Sequence, residues 1–196
     1  MIHAELITEV YNLTNRPDII AETAAAVRAA TLKAHHSDFF SKDMYEVPIT
    51  FEEAAYIHTL DYISVLPNYR ALNYLRKFDE ASDEPMEFIT IITPTEVLDS
   101  YNVRRLDIAY VAGRAIEIRS STEFSKLLMG AYVSPVISST DYSSWVADLY
   151  PYAIVFEAAR VVFKTIGYDE QSAQFERLVA EQYAELKINA LPDVAF

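Results

Sequence analysis

The chain has 196 residues, no cysteine and a formal net charge of −13, with 29 acidic side chains against 16 lysines and arginines. Without cysteine, the protein cannot be a disulfide scaffold, a thiolate zinc protein or a thiol enzyme. The excess of carboxylates disfavours tight wrapping of a nucleic-acid backbone, which needs clustered lysine and arginine.

The N-terminal part of the chain predicts two helices separated by a break. Residues 2–12 have the apolar spacing of a short amphipathic helix. Pro17 suits a first helical turn and begins a second helix, which runs to about His36. Its apolar and small side chains recur every three to four residues, at Ile20, Ala24, Val27, Thr31 and Ala34. The alanines of this helix predict close packing against a neighbouring helix.

The middle of the chain predicts short strands mixed with short helices. From residue 38 to about residue 62 apolar and polar side chains nearly alternate, and Pro48 indicates an edge strand. Residues 69–78 predict a helix, because Tyr69, Leu72 and Leu75 recur at helical spacing. The remaining predicted elements are a charged loop at 79–87, a strand at 88–92, a short helix at 93–101, a hairpin at 108–119 with its turn at Gly113, and a strand at 127–133.

The last third of the chain predicts two further helices and a tail. Residues 152–166 form the first helix, and Gly167 suits the position just after its end. Asp169 caps the second helix, which carries apolar residues at helical spacing to about residue 186. Residues 191–196 (LPDVAF) predict an extended apolar tail, because the proline cannot continue the helix.

These elements predict a mainly α protein of the α+β class, a helical bundle with a small antiparallel β insertion. One domain, residues 1–196, is expected. Its predicted parts are a helical frame from 1–37 and 148–190, a β-rich insertion with short helices at 38–147, and the tail at 191–196. In the frame, the helix at 18–36 is expected to pack against 152–166 and 169–189.

The strongest metal-like pattern follows the second helix, at His35, His36, Asp38 and Asp43. Adjacent histidines on a helix point about 100° apart, so they do not share one face as in His-x-x-x-His. The favoured interpretation is a polar helix end, where cations are favourable. The alternative is a metal site in a small metal-dependent hydrolase.

Other candidate patterns are weaker still. The carboxylates of residues 79–87 lack the alternation and the glycine of a calcium loop. The hydroxyls at 120–122 and 138–140 lack a G-x-S-x-G turn. Three scattered glycines, Gly113, Gly130 and Gly167, cannot build a phosphate-binding loop. We therefore expect no catalytic residue, no cofactor and no bound metal.

Two stretches of the chain resemble the head-to-tail connector (adaptor) proteins of tailed bacteriophages. LITEVYNLTNRPDIIAETAAAVRAAT is similar to their opening helices, and YPYAIVFEAARVVFKTIGYDEQSAQFERLVAEQYAEL is similar to their closing pair. In that closing pair the second helix carries glutamate and tyrosine, here Glu181 and Tyr183. The order of N-terminal helices, β-rich middle and closing helices also resembles this family.

The resemblance implies a structural virion protein that is not an enzyme, made in the host cytoplasm and located in the neck of the virion. It implies a ring of about twelve copies below the portal. Such a ring contacts the portal protein and a tail or nozzle protein, and DNA passes through its channel without specific binding. A helical regulatory binding module that forms no ring is the remaining alternative. No membrane contact is expected, because no segment is apolar for long enough to span a bilayer.

The residues expected at interfaces lie in the tail, in the predicted hairpin and just before it. They are Leu191, Val194, Phe196, Tyr110, Arg114, Arg104 and Arg105. In the family resembled, the tail contacts the portal and hairpin loops point toward the phage tail.

Overall fold

The computed structural model describes residues 1–78, 84–97, 105–139 and 141–190. The chain divides into two compact units. The helical unit comprises Met1–Asp43 and Ser134–Phe196, and the β unit comprises Met44–Val133. Within the described residues, no helix combines the length and the apolar character needed to cross a membrane.

Helices occupy both ends of the chain, and strands occupy its middle. In chain order the elements are α1 (His3–Thr14), α2 (Ile20–His35), β1 (Met44–Asp61), α3 (Tyr62–Val65), β2 (Tyr69–Phe78), β3 (Pro85–Ile91), β4 (Ile108–Ala112), β5 (Ala115–Val133), α4 (Trp145–Leu149), α5 (Pro151–Thr165) and α6 (Asp169–Asn189). Short 3-10 turns lie at Ser41–Asp43 and Pro94–Val97.

Helix α5 is the centre of the helical unit, where it packs against α1, α2, α4 and α6. Pro151 begins the helix, and its fixed φ and missing N–H suit a first turn. Gly167 follows the helix end with a φ of 80°, a conformation that favours glycine. The fully buried residues of α5 are mostly small or branched: Ala153, Ile154, Val155, Ala158, Ala159 and Val162. Such side chains permit close helix packing.

The β unit is a single sheet in the order β1-β5-β2-β3-β4, and β4 also pairs with β5. The second pairing closes β2, β3, β4 and β5 into a four-stranded barrel. Closure is possible because β5 is 19 residues long. Residues 115–119 of β5 pair with β4, and residues 127–133 pair with β2. Strand β1 runs antiparallel beside β5, outside the barrel.

The prediction of a mainly helical bundle with a small antiparallel insertion is wrong. The described residues are 45% helix and 33% strand, with six helices and a five-stranded sheet that contains the closed barrel. The pairing of β3 with β4 is also parallel rather than antiparallel. Residues 69–78, predicted as a helix, form strand β2, because pairing with β3 and β5 overrides the helical spacing.

Candidate interaction surface

The β4–β5 hairpin presents two of the residues predicted at an interface. Ala112 pairs with Ala115 across a two-residue turn, and the φ of 61° at Gly113 favours glycine there. Arg114, the second turn residue, is 73% exposed, with its guanidinium 3.6 Å from the Asp61 carboxylate. The confirmed hairpin therefore carries an exposed cation at its tip.

Tyr110 lies on the outer side of the same hairpin, beside an ion pair. The Arg119 guanidinium carbon is 5.8 Å from the centre of the Tyr110 ring. Arg119 also donates hydrogen bonds of 3.3 Å to the Glu117 carboxylate. A hydrogen bond with Glu117, burial and the negative charge of Glu117 together raise the pKa of the Tyr110 phenol. The phenol is therefore neutral and able to donate over the physiological range.

A groove of about 610 Å³ lies beside these residues, between β1 and the start of β4. Its described lining residues are Tyr56, Ile57, Leu106, Glu117, Arg119, Ser120 and Ser121. The apolar members Tyr56, Ile57 and Leu106 are all about half exposed. Ile57 pairs with Arg119 in the β1–β5 register, so the Glu117–Arg119 pair forms part of the groove floor. The groove thus combines an apolar rim with a partly neutralised polar floor.

A buried lysine holds the residues that lead into β4. Lys77 Nζ donates hydrogen bonds of 2.8 Å to Asp107 Oδ1 and 2.9 Å to Ser120 Oγ. Burial raises the pKa of Asp107, but hydrogen bonds from Lys77 and Ser121 outweigh burial and lower that pKa to about 2. Ser120 therefore has a structural partner, and the described groove lining contains no histidine that could act as its base. Lys77 thus holds Ser120 of the groove close to Asp107.

A second exposed patch on the β unit combines aromatic rings with a guanidinium. Phe88 on β3 is 63% exposed, and its ring lies edge to face with Tyr74 at 5.6 Å. The Arg76 guanidinium lies 4.8 Å from the centre of the Phe88 ring, while it also donates hydrogen bonds to the carbonyls of Pro85 and Met86. Arg76 and its two carbonyl partners thus fix this ring at the surface.

The metal-like pattern separates into different contacts in the structure. His35 Nδ1 lies 2.8 Å from Asp43 Oδ1, and the same oxygen accepts a 2.7 Å hydrogen bond from Trp145 Nε1. His36 instead contacts Ser134 Oγ at 2.9 Å, and Asp38 accepts from the backbone N–H of Phe39. Among the residues with described positions, no group of three or more histidine, aspartate or glutamate side chains could hold a metal ion. The His35–Asp43–Trp145 contacts join the end of α2 to α4.

The structure describes one of the other five residues predicted at interfaces, Arg105. Arg105 is exposed in the structure. Hydrogen bonds from Thr93 are the main cause of a lowered pKa at Glu96, and the charge of Arg105 adds to it. Arg104, Leu191, Val194 and Phe196 lie outside the described residues.

Five residues that line the groove were not predicted from the sequence: Tyr56, Ile57, Leu106, Glu117 and Arg119. Tyr56 and Ile57 carried a signal of an exposed apolar surface, because consecutive residues of a strand point to opposite faces of the sheet. Two consecutive large apolar residues in an edge strand therefore leave at least one of them outside the core. The register shift between Ala55 and Ile57 leaves both exposed.

No protein-family model matches this chain, and no curated protein matches it significantly.

Proposed function

We propose that this chain is a structural adaptor of a tailed-phage neck, which forms a ring below the portal and links capsid to tail. The observation that carries the proposal is that each unit exposes large apolar side chains. In the helical unit Ile20 is 65% exposed and Ile188 is 69% exposed, and in the β unit Tyr56, Ile57 and Phe88 are exposed. Exposed apolar groups mark protein interfaces when they cluster, as Tyr56, Ile57 and Leu106 do at the rim of the groove. A ring subunit needs surfaces for its neighbours and for the proteins above and below.

The charge of the chain supports passage of DNA rather than retention of it. The net charge of −13 disfavours binding to phosphates, which depends on counterion release by clustered lysine and arginine. Helix α6 carries exposed carboxylates at Glu170, Glu176, Glu181 and Glu185. A wall with such a surface repels a polyanion, so DNA moves past without a specific contact.

The contacts of the histidines do not support the rival function of metal-dependent hydrolysis. His36 and Asp38 have partners away from the His35–Asp43 pair. In the proposed function the chain therefore acts through its surfaces. Its partners are the portal protein, a tail or nozzle protein and further copies of itself.

Assembly with the portal tests the proposal directly. Purified chain is mixed with the portal protein encoded in the same genome, and the products are examined by native mass spectrometry and electron microscopy. We expect a ring of the chain on one end of the portal. A chain that stays monomeric and leaves the portal unchanged would contradict the proposal.

A pair of neighbouring variants makes the test specific. Ile188→Lys and Asn189→Lys introduce the same charge at exposed positions on the last turn of α6. If exposed apolar side chains form the contacts, Ile188→Lys weakens assembly by about tenfold or more, as expected for an interface hot spot, while Asn189→Lys has little effect. Equal effects from both variants would show that added charge, not the loss of the apolar contact, is responsible.

A further inference from the structure

A cleft of about 440 Å³ lies within the helical unit, between the start of α1, one face of α2 and the segment that leads to α4. Its polar lining residues are His3 from α1, Arg28 from α2, and Ser138 and Ser139 from the segment before α4. We call it the His3 cleft. Its volume falls within the range of about 300–1,000 Å³ that is usual for sites that bind small molecules.

Arg28 brings a positive charge to the cleft without an acidic partner. Its side chain is exposed and makes no hydrogen bond or ion pair with any residue that the structure describes. Each of the other arginines with a described position has a hydrogen bond, an ion pair or another electrostatic contact. The described lining of the cleft also contains no carboxylate. In a chain with a net charge of −13, this arginine is thus left available for an external anion.

His3 adds a buried imidazole beside this charge. The side chain is 8% exposed, and its Nδ1 has no hydrogen-bond partner among the described residues. Burial and, after it, the positive charge of Arg28 lower the pKa of His3, so the ring is neutral at neutral pH. A neutral imidazole can donate one hydrogen bond, and a buried polar atom that stays unpaired is unfavourable. An anion in the cleft would offset the charge of Arg28 and accept from the ring.

Two serine hydroxyls complete the polar side of the cleft. Ser138 and Ser139 are both exposed. The Ser139 carbonyl accepts a 3.3 Å hydrogen bond from the Tyr142 backbone N–H, and the Tyr142 carbonyl accepts one of 2.8 Å from the His3 backbone N–H. These backbone bonds hold the serines near the start of α1. The cleft therefore places two hydroxyls and an imidazole around one guanidinium.

The other side of the cleft is apolar. Ala24 and Ala25 precede Arg28 by four and three residues, so all three lie on one face of α2. The half-buried Ile137 lines the cleft from the segment before α4. Because alanine side chains are short, they leave space beside the guanidinium. A ligand can thus place an anionic group at Arg28 and a small apolar group against the alanines.

The set of donors favours phosphate over carboxylate. A phosphate monoester has three terminal oxygens and a charge of about −1.5 to −2 at pH 7. The guanidinium fork of Arg28 can pair with two of these oxygens, and the third can accept from the serines and His3. A carboxylate has only two oxygens, and the fork alone would occupy both.

We propose that the His3 cleft binds the phosphate group of a small organic molecule, with Arg28 as its main anchor. The ring of His3 and the hydroxyls of Ser138 and Ser139 donate hydrogen bonds to the phosphate. The apolar side of the cleft contacts the organic part of the ligand. The cleft lies within the helical unit, and its binding does not depend on a role of the chain in a phage neck.

Titration of propyl phosphate into the full chain tests the site, with backbone amide shifts followed by NMR. We expect changes centred on residues 3, 24–28 and 137–139. Propanol, which lacks the phosphate, should cause no comparable change, and inorganic phosphate, which lacks the propyl group, should bind more weakly at the same residues. No binding of propyl phosphate, changes centred elsewhere, or an equal response to propanol would overturn the proposal. Tighter binding of a short DNA duplex at these residues would reject a small-molecule ligand.

Two variants in the helical unit locate the binding. Arg28→Gln and Lys187→Gln each remove one positive charge from an exposed position, but Lys187 on α6 does not line the cleft. We expect Arg28→Gln to weaken binding of propyl phosphate by about tenfold or more, because a charged hydrogen-bond donor is lost, and Lys187→Gln to have a small effect. Circular dichroism confirms that both variants fold. Equal effects would show that net charge, not the cleft, governs binding and would overturn the site.

The pKa of His3 gives a second measurement, from the shifts of its ring protons during a pH titration. Bound phosphate offsets the charge of Arg28, so it should raise the pKa of His3 from its lowered value. In Arg28→Gln the pKa of His3 should be higher even without ligand, and propyl phosphate should change it little. A wild-type His3 pKa that propyl phosphate leaves unchanged would place the ligand away from the ring and overturn the proposed role of His3.

Discussion

Gly130 shows how a single residue without a side chain shapes the β unit. It lies in β5 between Glu46 of β1 and Tyr74 of β2, with which it is paired. The Tyr74 ring lies directly over the glycine, and its hydroxyl donates a hydrogen bond to the Glu46 carboxylate. The absence of a side chain thus allows one tyrosine to connect three strands.

Replacement of Gly130 by alanine is expected to lower the free energy of unfolding by about 1–3 kcal/mol, as for other overpacked sites. The reason is that the added methyl group would collide with the Tyr74 ring. Urea unfolding measures the change. In a Tyr74→Ala background the same substitution should cost much less, because the ring is gone. Equal costs in both backgrounds would show that the ring is not the obstacle.

The three glycines also show what a sequence can indicate at this scale. Gly113 and Gly167 were expected at a hairpin turn and after a helix, and both have positive φ. Their role is local, so neighbouring residues reveal it. Gly130 gave no such signal, because its role depends on Tyr74, which is 56 positions earlier in the chain, and on the β2–β5 register. A role set by a distant contact cannot be read from neighbours in sequence.

At the scale of helices, Glu157 joins α2 to α5 through a buried carboxylate. It is 3% exposed and accepts hydrogen bonds from Lys33 Nζ at 2.7 Å and Arg160 Nη2 at 2.8 Å. Burial raises the pKa of Glu157, but the hydrogen bonds from Arg160 and Lys33 outweigh it and lower that pKa. Tyr183 of α6 packs near the same charges, and burial raises the pKa of its phenol. The carboxylate is therefore ionised and paired at neutral pH.

Replacing Glu157 by glutamine should lower the free energy of unfolding by about 1–3 kcal/mol at neutral pH, since two cations lose a charged partner. Because the pKa is lower in the folded state, the ionised carboxylate stabilises the fold above its unfolded pKa. That stability is lost as the pH falls through the folded pKa. The difference between wild type and variant should therefore shrink in acid.

Urea unfolding at neutral pH and at about pH 3 measures this difference. The control is Glu181→Gln, which removes the exposed Arg177–Glu181 pair on α6 and should change stability by less than about 1 kcal/mol. A penalty for Glu157→Gln that persists unchanged in acid would show that side-chain packing, not charge, is its origin.

Helices and strands differed in how well the sequence revealed them. The N- and C-terminal helices were predicted near their observed bounds, because each has helical spacing together with proline, glycine or acidic residues at its ends. The hairpin was predicted correctly from Gly113 between two apolar runs. Strand β2 was not, because Tyr69, Leu72 and Leu75 match a helical period while the β5 pairing decides the structure. Groove residues from β1 and β5 were missed because the β1–β5 register, which the sequence does not show, brings them together.

For the whole molecule, the chain passes between its two units only at Asp43–Met44 and Val133–Ser134. Met44 pairs with Tyr132 in the β1–β5 register, and paired residues on neighbouring strands are about 5 Å apart. The points at which the chain enters and leaves the β unit are therefore close together. Each unit also has its own buried apolar cluster. The β unit is therefore an insertion whose removal leaves chain ends that a short linker can join.

We expect each unit to fold without the other. Residues 44–133 alone should give a cooperative unfolding transition and dispersed NMR amide signals, and residues 1–43 joined to 134–196 by a short glycine–serine linker should give a cooperative loss of helix on heating. A matched fragment, residues 48–133, lacks the part of β1 that pairs with residues 129–132 and should be less stable, because those ladder pairs are lost. If the fragment 44–133 is unfolded while the full chain is folded, the β unit depends on the helical unit for its stability. In that case the two units would form a single cooperative structure, and surfaces assigned to one unit would have to be tested in the full chain.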